Sequence, residues 1–147
     1  MLAYKPKANF NSVKTFQPTR MAFCNLFLGW VLVRQEELKM EKDCTFCKIV
    51  EGKMETEFLY QDDTLVVFRD INPHAPVHLL VVPRKHIRSI NDLDTEDGPI
   101  VSHIIAVAKE MAKKESVNKS GYKLIFNVER GGGQLIFHLH LHLIGGW

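Results

Sequence analysis

Residues 138–144 read His-Leu-His-Leu-His-Leu-Ile, and no other stretch of this 147-residue chain constrains its fold so tightly. Strict alternation is the pattern of a strand, in which side chains at i, i+2 and i+4 share a face. His138, His140 and His142 therefore line one face, while Leu139, Leu141 and Leu143 line the other and must meet a core. On a core-backed strand, imidazoles resist protonation through desolvation and mutual repulsion, so neutral rings are expected at pH 7. A neutral imidazole is a nucleophile, a proton carrier and a metal ligand.

Two chemistries compete for these rings. His-x-His on a strand can give two ligands to one ion, but no Asp or Glu accompanies the triad, and the nearest carboxylate upstream is Glu129. The alternative is covalent phosphoryl or nucleotidyl transfer, with a ring nitrogen attacking phosphorus. The preceding Gly131-Gly132-Gly133-Gln134 favours transfer, because its backbone N–H groups are expected to form an anion-binding nest beside the histidines.

The rest of residues 40–147 reads as one α+β domain. Asp43 is the expected N-cap of a short helix with Phe46, Ile49 and Val50 facing inward, stopped at Gly52. Strands are expected at 58–61 and 64–69 around a turn at Asp62-Asp63, then at 77–82, 122–128 and 135–144. Helical spacing of Ile100, Ile104, Ala108 and Met111 predicts a long helix over 96–117. Tight turns between short strands favour a mostly antiparallel sheet, with the helices expected on one side. No internal repeat is visible.

Composition divides the chain. The net charge of +2 excludes a polybasic nucleic-acid binder, and no nucleic acid is expected as a partner. Six basic residues against two acidic ones make 1–39 cationic, whereas 40–147 is mildly acidic. Within the extension, Met21–Val33 is a nearly unbroken apolar run of 13 residues, shorter than the roughly 20 a spanning helix needs. It has the length of a signal-peptide core, with Arg20 as positive flank, but no small-x-small cleavage site follows. A mitochondrial presequence, a loose tail, or translation starting at Met40 are the other readings, and membrane contact is expected only if the extension is retained. Cys44-Thr45-Phe46-Cys47 is the domain's sole cysteine pair, which argues against a disulfide framework. A redox pair, half a zinc site and an inert pair all remain open. Free thiols suit a reducing compartment, and a cytoplasmic location is expected.

HLHLHLI preceded by GGQ resembles the signature of the histidine-triad nucleotide-binding proteins. The similarity extends over 43–146: CTFCKIVEG, LVVFRDINPHAPVHLLVVPRKHI and GYKLIFNVERGGGQ each look like segments of the Hint branch, the nucleoside phosphoramidases. The resemblance implies a five-stranded antiparallel sheet with two helices, joined sheet to sheet across a homodimer, with a purine-nucleotide site. By motif match His140 is the nucleophile, flanked by His138 and His142, and His78 is the fourth family histidine. Asp70 matches the carboxylate that receives the ribose hydroxyls, and Asn127 matches the residue that closes on ribose and phosphate. Phe46, Ile49, Phe68 and Ile71 would wall the base, and Gly133 and Gln134 would meet the phosphate. The implied reaction is hydrolysis of purine nucleoside 5′-phosphoramidates through a nucleotidyl-histidine intermediate, with no cofactor needed for catalysis. Dinucleoside polyphosphate hydrolysis and catalytically weak nucleotide binding are the alternatives. Some relatives hold structural zinc with the cysteine pair and two histidines, which here match Cys44, Cys47, His86 and His138.

Two departures stand out. Leu135 follows Gln134 where many Hint proteins carry a hydroxyl or acid able to protonate the leaving amine. The sequence ends at Gly145-Gly146-Trp147, where those proteins usually continue into a tail that reaches the partner's site. His74 and His103 read as unremarkable, one in a turn and one on a helix.

Overall fold

The computed structural model describes residues 43–147, so the readings made for 1–39 lie outside the described residues. The elements follow as α1 (Thr45–Val50), β1 (Tyr60–Gln61), β2 (Leu65–Arg69), β3 (Val77–Pro83), α2 (Gly98–Lys114), β4 (Tyr122–Ile125) and β5 (Leu141–Gly145). All pairings are antiparallel, in the order β1-β2-β3-β5-β4. Among the described residues this is the expected α+β five-stranded sheet with two helices.

One expectation needs correction. The helices lie on opposite faces, because β2 and β3 are apolar at nearly every position and need cover on both sides. Leu65, Val67, Leu79, Val81, Leu141 and Leu143 point towards α2 and pack on Ile104, Ala108 and Met111. Val66, Phe68, Leu80 and Val82 point the other way, onto Phe46 and Ile49 of α1. The site lies on the α1 face. Burying a leucine-sized side chain contributes about 1.5–3 kcal/mol, so the fully buried Leu139–Leu143 alternation alone pins the register of β5.

Local chemistry sets the element ends. Cys44, rather than Asp43, occupies the N-cap of α1. Asp94 and Asp97 form a capping box before α2, and Pro99 fits its first turn, so the helix starts at Gly98 instead of Glu96. Asp62 accepts from the N–H groups of Thr64 and Leu65, both at 2.7 Å, which closes the β1–β2 turn. Among the described residues no helix is long and apolar enough to cross a membrane.

Candidate functional site

The last strand is shorter than its alternation suggests. His138 N–H turns back to the Ile136 carbonyl, and Leu139 N–H donates to the Ile87 carbonyl at 2.6 Å, so ladder pairing begins only at Leu141. The histidines still share the face opposite the leucines. Their surroundings nevertheless divide them into two groups.

His138 is fully buried and turned away from the open site. Its Nε2–H donates to the Pro83 carbonyl at 2.8 Å, which leaves Nδ1 as the ring's lone pair. That Nδ1 lies 3.5 Å from Cys44 Sγ, 3.5 Å from Cys47 Sγ and 3.2 Å from His86 Nδ1, and Cys47 Sγ is 3.2 Å from His86 Nδ1. The four donor atoms all fall within 4.8 Å of one another and can hold a metal ion. A carbonyl behind a histidine ligand is the usual outer support of such a site. Burial pushes the Cys44 thiol up, but hydrogen bonds with His138 and His86 outweigh it and bring the pKa to about 5, so the sulfur is poised as a thiolate.

His140 points into the open site. Its Nδ1–H donates to the His138 carbonyl at 2.6 Å, so Nε2 carries the lone pair. Burial lowers its pKa and keeps the ring neutral. His142 stands 4.9 Å away, ring to ring, and burial reinforced by the neighbouring His140 and His78 brings its pKa to about 4. His78 joins from β3: His74 N–H donates to His78 Nδ1 at 3.1 Å, which places the proton of neutral His78 on Nε2. That proton faces His142 Nδ1 at 2.9 Å, with Asp70 Oδ2 at 3.4 Å, and burial lowers the His78 pKa. Asp70, His78 and His142 also lie close enough together to suggest a metal. The His74 N–H argues otherwise, because it commits His78 Nε2 to donating, and a donor cannot ligate. This trio is a hydrogen-bond relay.

A cavity of about 430 Å³ opens before these rings. Phe46, Ile49 and Phe68 wall it, with Phe46 and Phe68 meeting edge to face at 5.7 Å. Asp70, Ile71, Asn127 and Gly133 line it too, as do His78, His140 and His142. Ile71 is 92% exposed, so it is a rim residue with no part in the core. Asp70 Oδ1 accepts from Asn72 N–H at 2.8 Å, which fixes the carboxylate. The Asn127 amide stands 3.3 Å from His142 Nε2.

The glycine loop corrects the sequence reading twice. Gln134 does not line the cavity: its buried amide donates to the Arg88 and Ile136 carbonyls and accepts from Glu129 N–H. Nor is the loop an open nest, because the N–H groups of Gly132, Gly133 and Gln134 donate to the carbonyls of Glu129, Arg130 and Glu129 respectively. The segment closes on itself as a 3-10 turn at Arg130–Gly132, and Gly133, at φ 85°, uses the freedom that only glycine has without cost. Before it, Glu129 sits at φ 59° and ψ 172°, a region that costs a side-chain-bearing residue about 1–3 kcal/mol.

Sequence reasoning missed His74, whose ring lines the cavity 5.5 Å from that of His78. Its position in a turn between Pro73 and Pro76 gives no sign of that in the sequence. Met54 and Ile125 also line the cavity, and neither carries a sequence signal. Leu135 is 91% exposed at the cavity edge, so its position is not explained by packing.

An antiparallel sheet that presents a neutral histidine to an open cavity is the arrangement the histidine-triad resemblance implies. Comparison with known proteins agrees. Residues 43–146 match the family profile described as "Scavenger mRNA decapping enzyme C-term binding". The purine nucleoside phosphoramidase of Escherichia coli K12 is 39% identical over 107 residues, 73% of this chain and 90% of that one. A HIT family hydrolase from Legionella pneumophila superposes with a TM-score of 0.70 at 45% identity, covering 71% of this chain and 94% of its own. A histidine triad protein from Clostridium difficile does so at 0.69 and 42%, covering 71% and 91%. The chain belongs to the histidine-triad superfamily, and it is a hydrolase of that superfamily.

Proposed function

We propose that the protein hydrolyses purine nucleoside 5′-phosphoramidates through a nucleotidyl intermediate on His140. One observation carries this reading: the His138 carbonyl holds the His140 proton on Nδ1, leaving the Nε2 lone pair to face the cavity. The base lies between Phe46, Ile49 and Phe68, with Ile71 at the rim, and Asp70 receives the ribose hydroxyls. His140 Nε2 attacks the α-phosphorus, the P–N bond to the leaving amine breaks, and its electron pair leaves with nitrogen. Charge on the phosphoryl oxygens meets the Asn127 amide and the His142 N–H. Water then attacks the phosphorus, the P–Nε2 bond breaks with its electron pair returning to the His140 ring, the water's proton passes to solvent, and the nucleoside monophosphate is released. With the loop N–H groups of Gly132, Gly133 and Gln134 engaged internally, side chains carry most of this stabilisation.

Leu135 cannot give the departing amine a proton, so protonation comes from solvent at the cavity mouth. The E. coli relative's name supports the phosphoramidate class. The test offers adenosine 5′-phosphoramidate to the wild type and to His140→Ala. Release of AMP by the first alone is expected. AMP binding without release by the wild type would support the weak-binding alternative, and equal release would remove His140 as nucleophile.

Zinc is the ion this reading places on Cys44, Cys47, His86 and His138. A tetrahedral zinc with about 2.3 Å bonds to sulfur and 2.0–2.1 Å to nitrogen would set nitrogen–nitrogen edges of about 3.3 Å, sulfur–nitrogen edges of about 3.6 Å and a sulfur–sulfur edge of about 3.8 Å. The observed contacts of 3.2–3.5 Å fit that frame. Its role is to tie α1 to the chain before β5, apart from the reaction. Cys44 and Cys47 are not joined in a disulfide, which supports a reducing, cytoplasmic location, and the edge strand β4 offers a seam for joining sheets in a homodimer.

A further inference from the structure

The strained backbone of Glu129 has an unusual anchor. Arg88 grips its carboxylate with both arms, Nη1 to Oε1 at 2.6 Å and Nη2 to Oε2 at 2.7 Å, and the Ser89 hydroxyl, 2.8 Å from Asp92 Oδ2, shares its proton with Oε1 at 3.1 Å. The Arg88 guanidinium also stacks 4.5 Å from the Phe137 ring centroid. The Glu129 N–H donates to Gln134 Oε1 at 3.0 Å, and Gln134 Nε2 returns to the Arg88 carbonyl at 2.7 Å. The Glu129 carbonyl then accepts from both Gly132 and Gln134. A single exposed ion pair contributes little to stability. This one is bidentate, stacked, and joined at both ends to a backbone conformation that a non-glycine residue does not adopt unaided.

What the grip controls is visible on either side of it. Two residues before Glu129 is Asn127, whose amide faces His142. Four residues after it, Gly133 neighbours Asn127, where a Cβ added to the glycine would meet the Asn127 Cγ and Nδ2 at 3.9 Å, an ordinary van der Waals contact. We propose that Arg88 and Glu129 form a positioning clamp that folds the 129–134 loop and so aims the Asn127 amide at the transferring phosphoryl group. The proposal rests on the nucleotidyl-transfer reading. Neither Arg88 nor Glu129 lines the cavity, so the clamp acts through Asn127 at the phosphoryl end, away from the base walls and Asp70.

The conformational argument provides its own test, because glycine accepts the backbone that Glu129 is forced into. Glu129→Ala and Arg88→Ala are expected to lower kcat about tenfold with KM nearly unchanged, the signature of a positioning loss. Glu129→Gly, which removes the same carboxylate, is expected to keep kcat within about threefold of the wild type. Glu129→Gly falling as far as Glu129→Ala, or kcat unmoved in all three variants, would overturn the clamp. AMP release by wild type but not by His140→Ala establishes the transfer reading separately. Should the wild type release nothing, that reading fails and NMR decides the clamp alone. The Asn127 side-chain amide and His142 ring signals are expected to shift in Glu129→Ala and Arg88→Ala but hold in Glu129→Gly. Signals unmoved throughout, or moved equally in Ala and Gly variants, contradict it.

Discussion

His138 and His140 are two residues apart on one face of one segment, yet they are built for different tasks. His138 gives its Nε2 proton to Pro83 and turns Nδ1 to two sulfurs and a second histidine. His140 gives its Nδ1 proton to the His138 carbonyl and turns Nε2 to an open cavity. Each backbone carbonyl selects a tautomer, and the tautomer decides which nitrogen offers its lone pair, Nδ1 to the Cys/His cluster at His138 and Nε2 to the cavity at His140. Identical side chains in a repeating motif are thus separated by the acceptor behind each ring.

The comparison can be broken most sharply at the catalytic end. His140→Ala should reduce nucleotidyl transfer by at least about 1,000-fold while leaving the melting temperature within a few degrees, measured by AMP release and thermal unfolding. At the other end the order reverses. Cys47→Ser should lose bound zinc and lower stability by about 2 kcal/mol, roughly 10 °C for a domain of this size, with residual turnover in the molecules that stay folded. Metal analysis of the wild type bears on the same point, and less than about a tenth of an equivalent per chain would refute the zinc assignment.

pH sharpens the contrast further. Burial, with His140 and His78 close by, depresses the His142 pKa from its ordinary 6.5 to about 4. The folded state thus binds fewer protons than the unfolded one in that window, so this contribution is intact above pH 6.5 and is lost as pH falls towards 4. Wild-type stability should decline across this range more steeply than that of His142→Gln, as followed by denaturant titration. A smaller effect is expected at the rim: Leu135→Ser should raise turnover about two- to tenfold for basic amine leaving groups and leave stability unchanged, since Leu135 is 91% exposed.

Much of this was legible in the residues. Alternation in 138–144 gave the two faces, and the apolar runs within 64–69 and 77–82 gave two strands, seen as β2 and β3. The Hint-like segments pointed to His78, Asp70 and Asn127, all of which line the cavity. The one-sided helix arrangement failed because those runs, being apolar on both faces, required two covers. The glycine nest failed because Gly-Gly-Gly-Gln states only that the backbone is free to turn, and the carbonyl of Glu129 decides which way. Gln134 looked like a phosphate ligand and is instead the internal brace of its loop. His74 was invisible because its ring reaches the cavity from a turn that carries no pattern, and its bond to His78 is a backbone N–H that any residue other than proline could supply.

The central claim, that His140 Nε2 is the attacking atom, is tested most directly by trapping the intermediate. Rapid acid-free quenching of the wild type with adenosine 5′-phosphoramidate, followed by peptide mass spectrometry, should find an adenylyl group on His140 and on no other histidine. An adduct on His142 or His78, or AMP released by His140→Ala at the wild-type rate, would contradict the account.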